Sequence, residues 1–510
     1  MGHRNCRLGA GLGILALALA AASSSWADTL PEALLMAYQT NPTYQAQRAQ
    51  LRSTDETYVQ ALAGYRPTAN LQASGNWYWQ RSNSCSVLFG CYGAQGQPFS
   101  QSYNYLNGQV QVTQELYTSG KTTARVKGAE ATVLAGRETL RQVENQLMLS
   151  VIGAFEDLRR DEQALDIRKD NVVVLQRQVD ESRARFEAGE VTRTDVAQSE
   201  AQLAAAQALV SSAQATVASD RAAYAAIVGQ SPTKLADPPP FRIFPKTIDE
   251  AFDTVEQNNP SIRVADYNEQ GAAAQVEEAK AQRLPSLGLQ GTYGYEQPIS
   301  PWSPSQNVRS ATLAVTLSQP LFTGGQLQSE VRQYIELDNV ARIQLEQARR
   351  VAVQNVSQTW NILLAARANI VADEEQVRAA EVAFEGTTAE QQVGLRTTLE
   401  VLTAQQVLEQ AQLSLISARH DEYVASAQVL SIMGLLEARL LLPGVTLEPG
   451  GHSFDELKHT SGYVPGLDEA LSTVDSLGIH DIKKAPPPAD APIATGPEDA
   501  RPATAVRPSP

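Results

Sequence analysis

Four segments of the chain alternate between two kinds of residue. In the first, Leu71, Ala73, Gly75, Trp77 and Trp79 alternate with Gln72, Ser74, Asn76, Tyr78 and Gln80. In the second, Leu106, Gly108, Val110 and Val112 alternate with Asn107, Gln109, Gln111 and Thr113. Leu287, Leu289, Gly291, Tyr293 and Tyr295 do the same against Gly288, Gln290, Thr292, Gly294 and Glu296. Ala311, Leu313, Val315 and Leu317 alternate with Ser310, Thr312, Ala314 and Thr316. A period of two predicts strands with one apolar and one polar face, over about 68–80, 104–117, 286–297 and 308–321. Trp77, Trp79, Tyr103, Tyr105, Tyr293 and Tyr295 gather at one end of the set, and Tyr117 and Phe322 at the other. Two aromatic ends around a small apolar middle fit a membrane barrel strand. A soluble sandwich also alternates, but hydroxyls and amides dominate the polar face here, as a water-filled lumen requires.

Between these segments the pattern turns helical. No proline interrupts 121–188 or 326–393, and at ~1.5 Å per residue each helix would be roughly 100 Å long. Gly189 and Gly394 are placed to end them as C-terminal caps. The helices that follow, 192–228 and 397–433, reach only about 55 Å. Helices ahead of the strands, 42–64 and 260–283, supply most of the missing length. Each is restarted by an Asn-Pro pair, Asn41-Pro42 and Asn259-Pro260, where Asn caps and Pro is tolerated at the first helical position. An ordinary soluble coiled coil would not account for the strands.

The chain is a duplication. Asn41, Pro42, Pro67, Leu71 and Gln72 recur 218 residues later, and Gln114, Leu116, Thr118, Gly120, Gly189, Thr192, Val196 and Gly229 recur 205 residues later. A register held without a gap over more than a hundred residues points to helices of fixed length. The expected organisation is a signal peptide at 1–27, a first repeat at 28–229, a linker at 230–247 and a second repeat at 248–434. An equatorial and C-terminal segment at 435–482 and a disordered Pro/Ala-rich tail at 483–510 complete it.

Composition narrows the function classes. The 510 residues carry a formal charge of -15, which argues against nucleic acid as a partner. Arg4 and Arg7, the apolar run 8–22 and Ser25-Trp26-Ala27 read as a cleavable export signal rather than a membrane anchor. In an exported protein Cys85 and Cys91 most simply form one loop disulfide, with two free thiols as the alternative. His452 and His459 flank Asp455 and Glu456, a spacing that could hold a metal but also suits a solvated surface. No nucleophile–base pair is visible, so neither an enzyme nor a cofactor is expected.

Four strands cannot close, and an open edge in lipid leaves backbone groups unsatisfied. Two copies would give a barrel filled by its own side chains, whereas three give twelve strands and room for water. With Gln319-Pro320-Leu321-Phe322-Thr323-Gly324-Gly325 and the two tip turns, the chain resembles the TolC-type outer-membrane channels of Gram-negative bacteria over about 30–440. The resemblance implies a mixed α+β membrane protein. It would be a homotrimer with one shared twelve-stranded transmembrane β-barrel in outer-membrane lipid, continuous with a long α-helical coiled-coil tunnel through the periplasm. It implies an exit channel for type I secretion or tripartite efflux, joined through a periplasmic adaptor (membrane fusion) protein to an inner-membrane ABC or proton-driven pump. Small-molecule efflux alone is one alternative. An exported coiled-coil scaffold without a pore is another.

By the same resemblance, adaptor hairpins dock on Gly189, Glu190, Val191, Thr192, Gly394, Leu395 and Thr397. The periplasmic gate falls on Thr194, Asp195, Gln391, Arg396, Glu400 and Thr403. The family's best-known gate has a tyrosine where Gln391 stands and aspartates where Glu400 and Thr403 stand. The tyrosine link and one acidic ring are therefore missing, while an Asp195–Arg396 link is expected to persist. Thr192-Arg193-Thr194-Asp195 and Thr397-Thr398-Leu399-Glu400 also have capping-box spacing, so both acids have a structural role available.

Overall fold

The computed structural model describes residues 29–82, 99–299, 307–442, 451–460 and 462–478. The signal, Cys85, Cys91 and the Pro/Ala-rich tail lie outside the described residues.

The first repeat runs α1 (Leu30–Thr40), α2 (Pro42–Leu62), β1 (Thr68–Ser82), β2 (Phe99–Tyr117), α3 (Lys121–Glu187) and α4 (Arg193–Val228). The second runs α5 (Ile248–Asn258), α6 (Pro260–Ala281), β3 (Ser286–Pro298), β4 (Val308–Ser318), α7 (Gln326–Gln392) and α8 (Thr398–Ile432). The short helices α9 (Ala438–Leu441), α10 (Phe454–Lys458) and α11 (Leu467–Ser476) follow. β4 stops at Ser318 rather than near 321, because Pro320 has no N–H to give to a ladder.

The strands form one antiparallel sheet in the order β1-β2-β3-β4. The register aligns Leu71 with Val110, Val110 with Tyr293 and Tyr293 with Ala311, so the apolar rows share one face. The polar rows share the other, where Gln109 Nε2 donates to Gln72 Oε1 at 3.1 Å. Leu71 and Leu313 are 78% and 76% exposed, an apolar surface that suits lipid. The aromatic end group divides between the faces. Trp77, Trp79, Tyr293 and Tyr295 belong to the apolar rows, whereas Tyr105 turns to the polar face and stacks on Tyr78 with ring centroids 6.1 Å apart.

Each long helix is flanked by two shorter ones. α2 and α4 pack along α3, and α6 and α8 along α7. Asn41 and Asn259 make the joints. Asn41 Oδ1 accepts from Thr43 and Tyr44 N–H while its Nδ2 donates to Ile227 O, tying the start of α2 to the end of α4. Asn259 repeats this with Ser261, Ile262 and Ile432. The core at this level is duplicated too. Leu147, Val151 and Leu158 of α3 are buried in one cluster, and Ala352, Val356 and Leu363, each 205 residues on, in the other. α3 buries 21 residues and α7 only 10, because α3 also packs on α6 and α8 while one side of α7 is open. Val340, Ile343, Val353 and Val371 are exposed along α7, a face that a neighbouring chain can cover.

The C-terminal segment departs from the equatorial placement expected for 435–482. α9 stays near α1, but α10 packs on α2 and α11 reaches the elbow where β2 becomes α3. Arg66 there pairs with Asp468 at 3.1 Å and donates to Lys458 O. Ser119 has a φ of 55°, alone among the described non-glycine residues in being positive. The second repeat has Gly324 at that place. The strained turn is held by Ser119 Oγ donating to Pro285 O at 2.6 Å and by the backbone of Gly478 packed against it.

Candidate functional site

The two helical hairpins α3–α4 and α7–α8 end in matching tips. In each, a glycine takes a left-handed conformation, with φ of 75° at Gly189 and 81° at Gly394. Glu190 N donates to Arg185 O and Leu395 N to Glu390 O, both at 2.9 Å. These are the six-to-one bonds of a Schellman close, which a side chain at the left-handed position would strain. The tips differ in chemistry. The first presents Glu190, Thr192 and partly buried Val191, and the second presents exposed Val393, Leu395 and Leu399.

The returning helices both start with a capping box. Asp195 Oδ2 accepts from Thr192 N at 2.9 Å and Thr192 Oγ1 at 2.8 Å, and Glu400 Oε2 from Thr397 N at 2.8 Å and Thr397 Oγ1 at 3.0 Å. Arg396 donates to Glu390 Oε2 and Glu400 Oε1, both at 2.8 Å. The Thr397 N–H, then Arg396, push the Glu400 carboxyl down to about 2. Glu390, then Glu400, hold the Arg396 guanidinium more firmly protonated. Within one chain, then, Asp195 is engaged by its own cap, and Arg396 is bound by acids of its own hairpin rather than by Asp195.

The remaining gate positions sit apart. Thr194 is exposed, and exposed Thr403 donates its hydroxyl back to Leu399 O at 2.8 Å. Gln391 is 3% exposed, with Nε2 3.4 Å from Thr398 Oγ1, and its backbone oxygen accepts from Arg185 Nη1 at 3.4 Å. Burial takes its side chain out of any open passage within the chain.

Sequence reasoning missed the polar group above the tips. Asn171 of α3, buried, donates from Nδ2 to Glu409 Oε2 at 2.6 Å and accepts on Oδ1 from Gln405 Nε2 at 2.9 Å, both on α8. The available signal was an asparagine one turn before Leu175 in the buried stripe of a long helix. Among the described residues no group of His, Cys, Asp and Glu is arranged to hold a metal. His459 Nδ1 lies 2.6 Å from Asp455 O, and His452 Nδ1 lies 3.8 Å from Glu456 Oε2.

Comparison with known proteins agrees with this architecture. The family model described as outer membrane efflux protein matches residues 33–230 and 251–435, one match for each repeat. The chain is 31% identical over 411 residues to the outer membrane efflux protein BepC of Brucella suis biovar 1, covering 81% of this chain and 86% of BepC. It is 26% identical to the outer membrane protein TolC of Vibrio cholerae, covering 81% of this chain and 92% of TolC. The crystal structure of the outer membrane protein VceC from Vibrio cholerae superposes with a TM-score of 0.66 at 21% identity, over 79% of this chain and 96% of VceC. The fold is that of the trimeric outer-membrane channels, in which four strands per chain enter a β-barrel continuous with a helical tunnel. With its lipid-suited sheet, its tunnel-length helices and a family match in both repeats, this chain belongs to the outer membrane efflux protein family and is an outer-membrane exit duct extending into the periplasm, for efflux or type I secretion.

Proposed function

We propose that this duct is passive. It performs no chemistry of its own, and it is opened when a periplasmic adaptor protein and an inner-membrane ABC or proton-driven pump engage the tips, in a type I secretion or tripartite efflux machine. The observation that carries this reading is the joining of each strand pair, through a tight elbow, to a helix of roughly 100 Å. A solute leaving the tunnel meets the polar sheet face without crossing lipid.

The tips are read as the entrance. Gly189, Glu190, Val191 and Thr192 on one side, and Gly394, Leu395 and Thr397 on the other, form the surface an adaptor hairpin would meet. Exposed Leu395 supplies an apolar contact there. Thr194, Asp195, Gln391, Arg396, Glu400 and Thr403 are read as the gate region. The capping boxes at Thr192 and Thr397 hold the hairpin ends in shape, and the Glu390–Arg396–Glu400 group stiffens the second tip. Solvent-exposed ion pairs are weak singly, so this group supports the shape of the tip more than its stability.

Single-channel recording of the purified protein in planar bilayers tests the reading. A heat-modifiable oligomer with low conductance, raised by Arg396→Ala or Asp195→Ala, is the expected result. Unchanged conductance in both variants removes the gate assignment. A non-conducting monomer recovered from the soluble periplasm points instead to an exported scaffold.

A further inference from the structure

Moving up from the tips, the two hairpins of one chain are joined by few side chains. Asp195 and Arg396 are both engaged within their own hairpins. Arg185 reaches across only to a backbone oxygen at 3.4 Å. Among the described residues, the first short side-chain tie between α3 and α8 is made by Asn171. It lies roughly 24 Å from the lower end of α3 by helix rise.

We propose that Asn171 is the positioning residue that fixes the second tunnel hairpin against the first above the entrance, its carboxamide spanning the seam to Gln405 and Glu409. The proposal rests on reading the tips as a gated entrance. Asn171 is 6% exposed and uses both ends of its amide on α8, giving 2.6 Å to Glu409 Oε2 and taking 2.9 Å from Gln405 Nε2. Directly below, Leu175, Ala206 and Leu402 form an apolar contact joining α3, α4 and α8. An apolar residue at 171 would extend that contact with a better helix former. A buried amide is costly unless bonded, and its value lies in register. A hydrophobic seam tolerates sliding and rotation, whereas an amide matched to one carboxylate and one carboxamide is satisfied in a single relative setting of the two helices. The bond to Glu409 is the strong, charge-assisted kind. Burial raises the Glu409 carboxyl, partly offset by Arg168 and Asn171, so losing the amide leaves a half-buried carboxylate short of a partner. The seam therefore has one preferred geometry, and the entrance inherits it.

The test is single-channel recording on purified trimers of wild type, Asn171→Leu, Asn171→Asp and Asn171→Asp with Glu409→Gln. Asn171→Leu keeps the branched side-chain skeleton and extends the apolar contact of Leu175, Ala206 and Leu402, so it assembles while losing the tie. Open-state occupancy should rise roughly fivefold or more in Asn171→Leu, the equilibrium shift that one lost hydrogen bond represents. It should rise further in Asn171→Asp, where the new carboxylate faces Glu409. Adding Glu409→Gln restores a donor opposite that carboxylate and should return occupancy to the wild-type level. A merely structural role would not produce that rescue. If all Asn171 variants match wild type while Arg396→Ala raises occupancy, the seam assignment is wrong and the gate reading stands. If wild type does not conduct, the gate reading fails and takes the seam assignment with it.

Discussion

The carboxylate of Asp475 closes over Gly120 and caps the long helix α3 from outside. Asp475 Oδ1 accepts from Gly120 N at 3.0 Å, Thr118 N at 2.8 Å and Thr118 Oγ1 at 2.9 Å. Its Oδ2 accepts from Thr123 N at 3.1 Å and Thr123 Oγ1 at 2.9 Å. α3 starts after a glycine with no side-chain cap of its own, so a residue from the far end of the sequence satisfies donors that a helix start leaves free. Asp475→Ala would strand several buried donors together and should cost roughly 3 kcal/mol. The thermal midpoint of the detergent-solubilised protein should fall, with Asp475→Asn between it and wild type. An unchanged midpoint would mean that water replaces the carboxylate freely.

The two Asn-Pro joints should respond alike. Asn41→Ala and Asn259→Ala each remove a cap on the following helix and a donor to the end of the returning helix. Each should lower stability by about 1–2 kcal/mol, read from denaturant midpoints. Because Asn41 and Asn259 share no hydrogen-bond partner, the double variant should show about the sum. A large deviation from additivity would show that the two joints are energetically coupled.

These joints show what the sequence can and cannot reveal. Asn41 and Asn259 were legible because capping and the Asn-Pro pair are local, and the strands because alternation is local. The helix lengths followed from the absence of proline. Asp475 was not legible, since its partners are some 350 residues away and nothing near it signals a cap. The same holds for Asn171 and for the climb of α11 to the elbow. At the tips, composition could place Arg396 near acids but not choose among Asp195, Glu390 and Glu400. That choice depends on the turn at Gly394, which carries Arg396 back over Glu390.

Midway along the tunnel, α3, α4 and α8 meet in a titrating group. His420 Nε2 lies 3.1 Å from Asp157 Oδ1, and its Nδ1 lies 2.9 Å from Asp421 Oδ1. Arg160 pairs with Asp157 and Asp161, and Asp161 hydrogen-bonds Asp220. Burial would lower the His420 imidazole, but its bonds to Asp157 and Asp421 outweigh that and raise it. Burial, then the bond with Asp161, push Asp220 up to about 6. Both folded-state values lie above their unfolded ones, so both groups stabilise the protonated form and lose that contribution as pH rises. For Asp220 the loss falls between its ordinary 3.8 and about 6; for His420 it begins near 6.5. Thermal midpoints should therefore decline from pH 4 through 7. Asp220→Asn should flatten the lower limb and His420→Gln the upper. A wild-type midpoint that rises over this range would contradict the assignment.

Arg141 offers the largest single-residue prediction. It pairs with Glu138 and Glu437, each at 2.6 Å, and its Nη2 donates to Asn258 O and Gly434 O at 3.3 Å. It thereby ties α3 to the corner where the second repeat turns from α5 to α6 and to the end of α8. The matching place in the second repeat is Glu346, so the staple occurs once per chain. Both carboxylates are nearly buried, with side chains 4% and 5% exposed. Burial raises Glu138, and Arg141 draws it partly back. Arg141→Met keeps the stem's packing but leaves buried Glu138 without its ion-pair partner and Glu437 with Arg439 alone, which should cost about 3–5 kcal/mol. Adding Glu138→Gln and Glu437→Gln removes the stranded charge and should recover most of the loss, since the net value of a buried ion pair is small even when breaking one is costly. Equilibrium or half-life measurements in detergent on the single and triple variants separate the two effects. If the triple variant is no better than Arg141→Met, the loss comes from the guanidinium's bonds to Asn258 and Gly434 rather than from stranded carboxylate charge.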